Sequence, residues 1–129
     1  MAKMYPPYYD GSTGSSAEKK VFELLKTDPG TESWTVLHSL GLSERSGKPY
    51  GEIDFVVIAP GAGIVCLEIK GGRISCKDGV WFTTDRDGRI HRMSRSPFMQ
   101  AREGMFALRE AITKKLDSRD KFYKCTISY

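Results

Sequence analysis

Four charged residues stand inside the most apolar stretch of the chain. They are Glu52, Asp54, Glu68 and Lys70, within GEIDFVVIAPGAGIVCLEIKGG, residues 51–72. A charge among β-branched and aromatic neighbours costs desolvation energy unless something compensates it. The stretch reads as two strands, roughly 52–59 and 63–70, joined by a turn. Alternation sends Glu52, Asp54, Val56 and Ile58 to one face of the first strand, and Ile53, Phe55 and Val57 to the other. On the second strand Cys66, Glu68 and Lys70 share a face. A loop with an odd number of residues, such as Pro60-Gly61-Ala62, sets Asp54 across from Glu68. An even loop splits the charges between faces, because a one-residue slip inverts the pattern.

Two carboxylates so placed repel each other, and a divalent cation removes the conflict. Two hard oxygen ligands, Asp54 and Glu68, with room for waters and a phosphate suit Mg²⁺, for which Mn²⁺ can substitute. Lys70 points the same way and can meet a phosphoryl oxygen or orient an attacking water. That is the equipment of metal-assisted phosphodiester hydrolysis. The competing reading is a set of exposed strand-end ion pairs with little energetic consequence. The apolar flanks and the single tight turn favour the metal site.

Two further polar residues fall on helical faces directed at the core. Glu18 precedes Val21 and Phe22 by three and four residues, which puts it on the apolar stripe of a first helix. Its spacing from Ser15 also fits a capping box, and the two readings stand side by side. Gln100 shares a small-residue stripe with Gly104, Ala107 and Ala111, which lets a later helix lie close to a sheet and carry the amide towards the carboxylates.

The elements that must position these groups follow from punctuation and periodicity. Residues 1–14, rich in Pro, Tyr, Gly and Ser, read as an irregular arm, and 15–129 as the domain. A helix starts at Ser15 and closes at Pro29-Gly30. SWTVLHSL (33–40) is a strand, and GLSERSGKPYG after it a polar loop. RISC, VWFTT and RIHRM form short strands separated by KDG and DRDG turns. Ser96-Pro97 opens a helix to about Leu116 with Ala101, Met105, Leu108, Ile112 and Leu116 facing the core, and KFYKCTISY forms a last strand. The order predicts a mixed α/β sheet flanked by helices, with a small β-extension.

Composition sets bounds. The 129 residues suffice for one domain, and a net charge of +4 leans mildly towards an anionic partner. Cys66, Cys76 and Cys125 lack CxxC spacing and read as reduced, packed thiols. His38 and His91 have no neighbouring cysteine, which argues against zinc. No apolar leader opens the chain and no segment has the length of a membrane span, so the expected location is cytoplasmic.

The blocks SAEKKVFELL, GEIDFVVI, GIVCLEIKGG, DGVWF and SPFMQAREGMFALREAI together resemble the NERD (nuclease-related) domain family, a branch of the PD-(D/E)xK nuclease superfamily. The resemblance spans nearly the whole chain, and GEID followed by a strand ending in ExKGG is its specific part. It implies an αβββαβ restriction-endonuclease-like core and a Mg²⁺-dependent nuclease acting on DNA in processing or repair. Position by position, it implies Glu18 as the first-helix acid, Asp54 and Glu68 as metal ligands, and Lys70 as the catalytic lysine. Gln100 matches the glutamine of the later helix, and Glu52 is implied as a supporting acid of the GEID motif.

The alternative is a non-catalytic nucleic-acid-binding or docking module that keeps the fold. In the β-extension Arg73, Lys77, Arg86, Arg89, Arg92 and Arg95 outnumber Asp78, Asp85 and Asp87. Arg73, Lys77, Arg89, Arg92 and Arg95 are the candidate phosphate contacts. The apolar end of KCTISY suggests one module of a longer protein, and the resemblance implies a fused or partner helicase-type module.

Overall fold

The computed structural model describes residues 1–12, 14–41 and 52–129. At its centre two strands form an antiparallel hairpin, β3 (Glu52–Ala59) and β4 (Gly63–Leu67) in the numbering used below, with Ala59 opposite Gly63. The loop is Pro60-Gly61-Ala62. The Ala62 N–H donates to the Ala59 carbonyl at 3.0 Å, and Gly61 has φ of 84°. Proline followed by a positive-φ glycine marks a type II turn. The odd loop is the one that forms.

β2 (Thr35–Gly41) pairs antiparallel with the other edge of β3. Parallel strands flank both sides: β1 (Lys3–Tyr5) on β2, and β8 (Ile127–Ser128) on β4. The sheet is thus mixed, in the order β1-β2-β3-β4-β8. β1 corrects the expectation of a wholly irregular arm over residues 1–14. Ala2 and Met4 are buried in the core, but three residues are too few to show a period, and Pro6-Pro7 directly after them hides the strand. The polar loop expected over 41–51 lies, apart from Gly41, outside the described residues.

One helix covers each face. α1 (Ser16–Thr27) lays Val21, Phe22 and Leu25 over Met4, Val36, Phe55 and Val57. α2 (Pro97–Lys115) starts on Ser96, whose hydroxyl accepts from the Met99 N–H at 3.0 Å. Its Met105, Leu108 and Ile112 pack on Ile53, Val56 and Cys66. A Cβ on Gly104 would come within 3.3 Å of Ile53 Cγ1, so the small-residue stripe does let this helix approach the sheet.

β5 (Arg73–Lys77), β6 (Val80–Thr84) and β7 (Ile90–Arg92) form a separate antiparallel sheet. Asp78 and Gly79, with φ of 51° and 76°, turn its first hairpin in the manner of a type I′ turn. Cys76 is exposed there, against the expectation of three packed thiols, whereas Cys66 is buried. The strand expected over 121–129 shrinks to Ile127–Ser128. Asp117 and Asp120 accept from the N–H groups two residues on, at 2.9 and 2.8 Å, and fold the preceding segment into turns. The Arg109 guanidinium of α2 donates to the carbonyls of Tyr123 and Cys125, which leaves those groups outside any ladder. No helix among the described residues is long and apolar enough to cross a membrane.

Candidate active site

The hairpin does not alternate strictly along its length. Val56 and Ile53, three residues apart, both pack on the α2 side, as do Leu37 and Leu40 on the neighbouring strand. An odd spacing on one face requires each strand to turn over once in between. The place is marked: Ser39 has φ of 52°, and the β2–β3 ladder pairs His38 with Phe55 and Leu40 with Ile53 but skips Ser39 and Asp54. Ile53 therefore shares a face with Val56, contrary to the simple alternation read from sequence. Asp54 occupies the missing rung.

β4 stops beside it. Regular pairing ends at Phe55 with Leu67, so Glu68, Ile69 and Lys70 lie just beyond the strand that was expected to contain them. The Asp54 carboxylate takes over the end of the ladder, accepting the Ile69 N–H through Oδ2 at 2.7 Å. Lys70 Nζ donates to Glu68 Oε1 at 2.6 Å, and both side chains are largely covered, at 29% and 14% exposure. Burial raises the Asp54 pKa to about 6, the Ile69 N–H opposes that, the Glu68 and Glu18 charges add to it, and Lys70 opposes it. Asp54, Glu68 and Lys70 thus lie within electrostatic reach of one another, whereas Glu52 is not among the charges that act on Asp54.

For Glu18 the capping-box reading is the one the hydrogen bonds show. Its Oε1 accepts the Ser15 N–H at 3.1 Å and its own N–H reaches Ser15 Oγ at 3.1 Å, which completes the capping box. Its charge nonetheless acts on Asp54, because the start of α1 sits against the end of β4: a Cβ on Gly71 would touch Ala17 and Ser15. Gln100 behaves differently. Its amide donates to the Arg95 carbonyl at 3.2 Å, back on its own helix start. Glu52 is exposed at the beginning of β3, next to Gly41 of β2.

Tyr9 went unnoticed in the sequence. Its hydroxyl lies 3.2 Å from the Ser15 carbonyl and 3.4 Å from Glu18 Oε2, and its pKa is raised by burial first and then by the charges of Glu18 and Asp54. A single aromatic in an aperiodic segment carries no signal of this; only the path of the folded chain brings it here.

The donor set suits a hard cation. It consists of carboxylate oxygens, and burial holds that of Asp54 back from ionising. Among the described residues no group of three His, Cys, Asp or Glu gathers closely enough to hold an ion. Water and phosphate oxygens would have to complete the shell, as Mg²⁺ commonly requires.

The five basic candidates lie outside this centre. By strand register Arg73, Lys77 and Arg92 share one face of the extension with Phe82, and no carboxylate lies on that face within the strands. Arg89 is exposed in the β6–β7 turn, and Arg95 pairs with Glu103.

No curated protein and no solved structure matches the chain. The family model described as nuclease-related domain, NERD, matches residues 13–128, which takes in both helices, the hairpin, the extension and the gathered charges. With that match over nearly its whole length, the chain belongs to the NERD family of the PD-(D/E)xK nuclease superfamily.

Proposed function

We propose that this domain hydrolyses DNA phosphodiester bonds with the help of a divalent cation, Mg²⁺ or Mn²⁺, in DNA processing or repair. The observation that carries the reading is the convergence of Asp54, Glu68, Lys70 and Glu18 at the unpaired end of the central hairpin. Asp54 and Glu68 are the proposed ligands. A cation bound to them supplies Lewis-acid polarisation of the scissile phosphate.

The chain's own groups do the rest. The Ile69 N–H fixes the Asp54 carboxylate in one orientation, so its remaining oxygen is presented without rotational search. Lys70 is parked on Glu68. Were Glu68 to hold a cation, the Lys70 ammonium would be free to donate to a phosphoryl oxygen or to hold the attacking water. Glu18 adds negative charge at the centre, and Glu52 is the proposed supporting acid. Gln100, whose amide donates to the Arg95 carbonyl, is the proposed further polar contact to the substrate. Arg73, Lys77 and Arg92 on the extension's carboxylate-free face, together with Arg89 and Arg95, are the proposed phosphate contacts.

The Lys70–Glu68 pair also favours a second reading, a nucleic-acid-binding module in which the ammonium has permanently taken the cation's place. Incubation with single-stranded, duplex and forked DNA and with RNA, in Mg²⁺ or Mn²⁺, separates the two. Cleavage that disappears in Glu68→Gln supports hydrolysis at this centre. Binding without cleavage supports the module. Cleavage that survives in Glu68→Gln comes from elsewhere and defeats the nuclease reading.

A further inference from the structure

Residues 1–12 precede the family match, yet they are fastened to the domain by several independent contacts. β1 pairs with β2 from Lys3 opposite Thr35 to Tyr5 opposite Leu37. His38, buried in the core, holds the Pro6 carbonyl through Nε2 at 2.9 Å. Three residues further on, the Tyr9 ring rests beside Phe22 and His38, with centroids 5.7 and 6.0 Å away.

We propose that Tyr9 is a positioning residue of the carboxylate centre: its hydroxyl holds Glu18 in place for a divalent cation at Asp54 and Glu68. The inference rests on the metal-dependent reading above. A glutamate side chain has several staggered rotamers open to it. Here the Ser15 N–H engages Oε1, and the phenol stands against Oε2. Without the hydroxyl, Glu18 is tethered at one oxygen and free to pivot about it.

The space for the phenol depends on one missing side chain. A Cβ on Gly14 would fall 1.6 Å from the Tyr9 hydroxyl oxygen and 2.5 Å from Cζ. The phenol carries one proton and has two acceptors in reach, the Ser15 carbonyl and Glu18. It therefore keeps a partner when Glu18 shifts, and can steer the carboxylate without being stranded unpaired.

The test measures Mn²⁺ affinity by calorimetry on the full chain without nucleic acid, so it does not depend on cleavage. Tyr9→Phe removes only the hydroxyl and is expected to weaken Mn²⁺ binding about tenfold, the usual scale for a partner that orients a metal-site group. Gly14→Ala displaces the phenol and sets its Cβ 3.2 Å from Glu18 Oε2, so it is expected to weaken binding at least as much, and it carries the test if Tyr9→Phe fails to fold. In a Glu18→Gln background Tyr9→Phe should have no further effect, because the two act as a unit. Unchanged affinity in Tyr9→Phe, or an equal loss in both backgrounds, overturns the inference alone. No Mn²⁺ binding by the wild type overturns the metal-dependent reading and this inference with it.

Discussion

At Asp54 the protein holds a carboxylate whose ionisation burial opposes, with pKa pushed up to about 6. An unfolded aspartate titrates near 3.9. Below that both states are protonated and Asp54 costs nothing; as pH rises through about 6 the folded state must ionise it in place, and stability is lost. Asp54→Asn, which keeps an acceptor for the Ile69 N–H, should therefore raise the melting temperature at pH 8 and change it little at pH 4. A thermal series across pH reads this directly, and a uniform shift at both ends contradicts it. With Mn²⁺ at a hundredfold excess over Kd the wild type should gain about 2.7 kcal/mol. Asp54→Asn should forfeit most of that gain, while Lys70→Ala should keep it and lose cleavage. Equal metal-induced shifts in Asp54→Asn and wild type would remove the two-carboxylate centre. The sequence made these charges legible because polar residues stand out in an apolar run. It did not reveal that Asp54 occupies a missing rung, since the left-handed Ser39 opposite has no marker of its own type.

The elements were legible wherever a period or a cap extended over a full turn. α1, α2 and the hairpin fall within a few residues of their expected bounds. β1 did not, because its three residues are held by neighbours far along the chain. Its weight can be measured. Met4 is 7% exposed within the core cluster, so Met4→Ala should cost about 2–5 kcal/mol in denaturant unfolding. A loss below about 1 kcal/mol would make β1 an ornament of the sheet edge. The turn offers a sharper test of register. One residue inserted into Pro60-Gly61-Ala62 shifts β4 against β3 and carries Glu68 away from Asp54. The variant should lose Mn²⁺ binding by calorimetry even where circular dichroism still reports a folded sheet.

Over the whole molecule, two sheets divide the work proposed for the domain. The five-stranded sheet carries the carboxylate centre, and the three-stranded one leaves it directly, Arg73 following Lys70 across Gly71-Gly72. If the face of Arg73, Lys77 and Arg92 grips phosphates, replacing all three with alanine should flatten the salt dependence of DNA binding. The slope of log K against log salt should fall by about 0.7 per residue on single strands and about 0.9 on duplex. A fluorescence-anisotropy titration at several salt concentrations measures it, and an unchanged slope means this face does not touch the backbone.

The chain's two tryptophans stand on different sheets' neighbourhoods: Trp34 against the α1-side core, and Trp81 edge-on to Phe98 with ring centroids 5.6 Å apart. Nature has thus installed one intrinsic fluorophore in the body of the domain and another at the root of its extension. Trp34→Phe leaves an emission signal that follows the extension alone, and Trp81→Phe one that follows the body. Urea melts of the two variants should separate if the small sheet comes loose first.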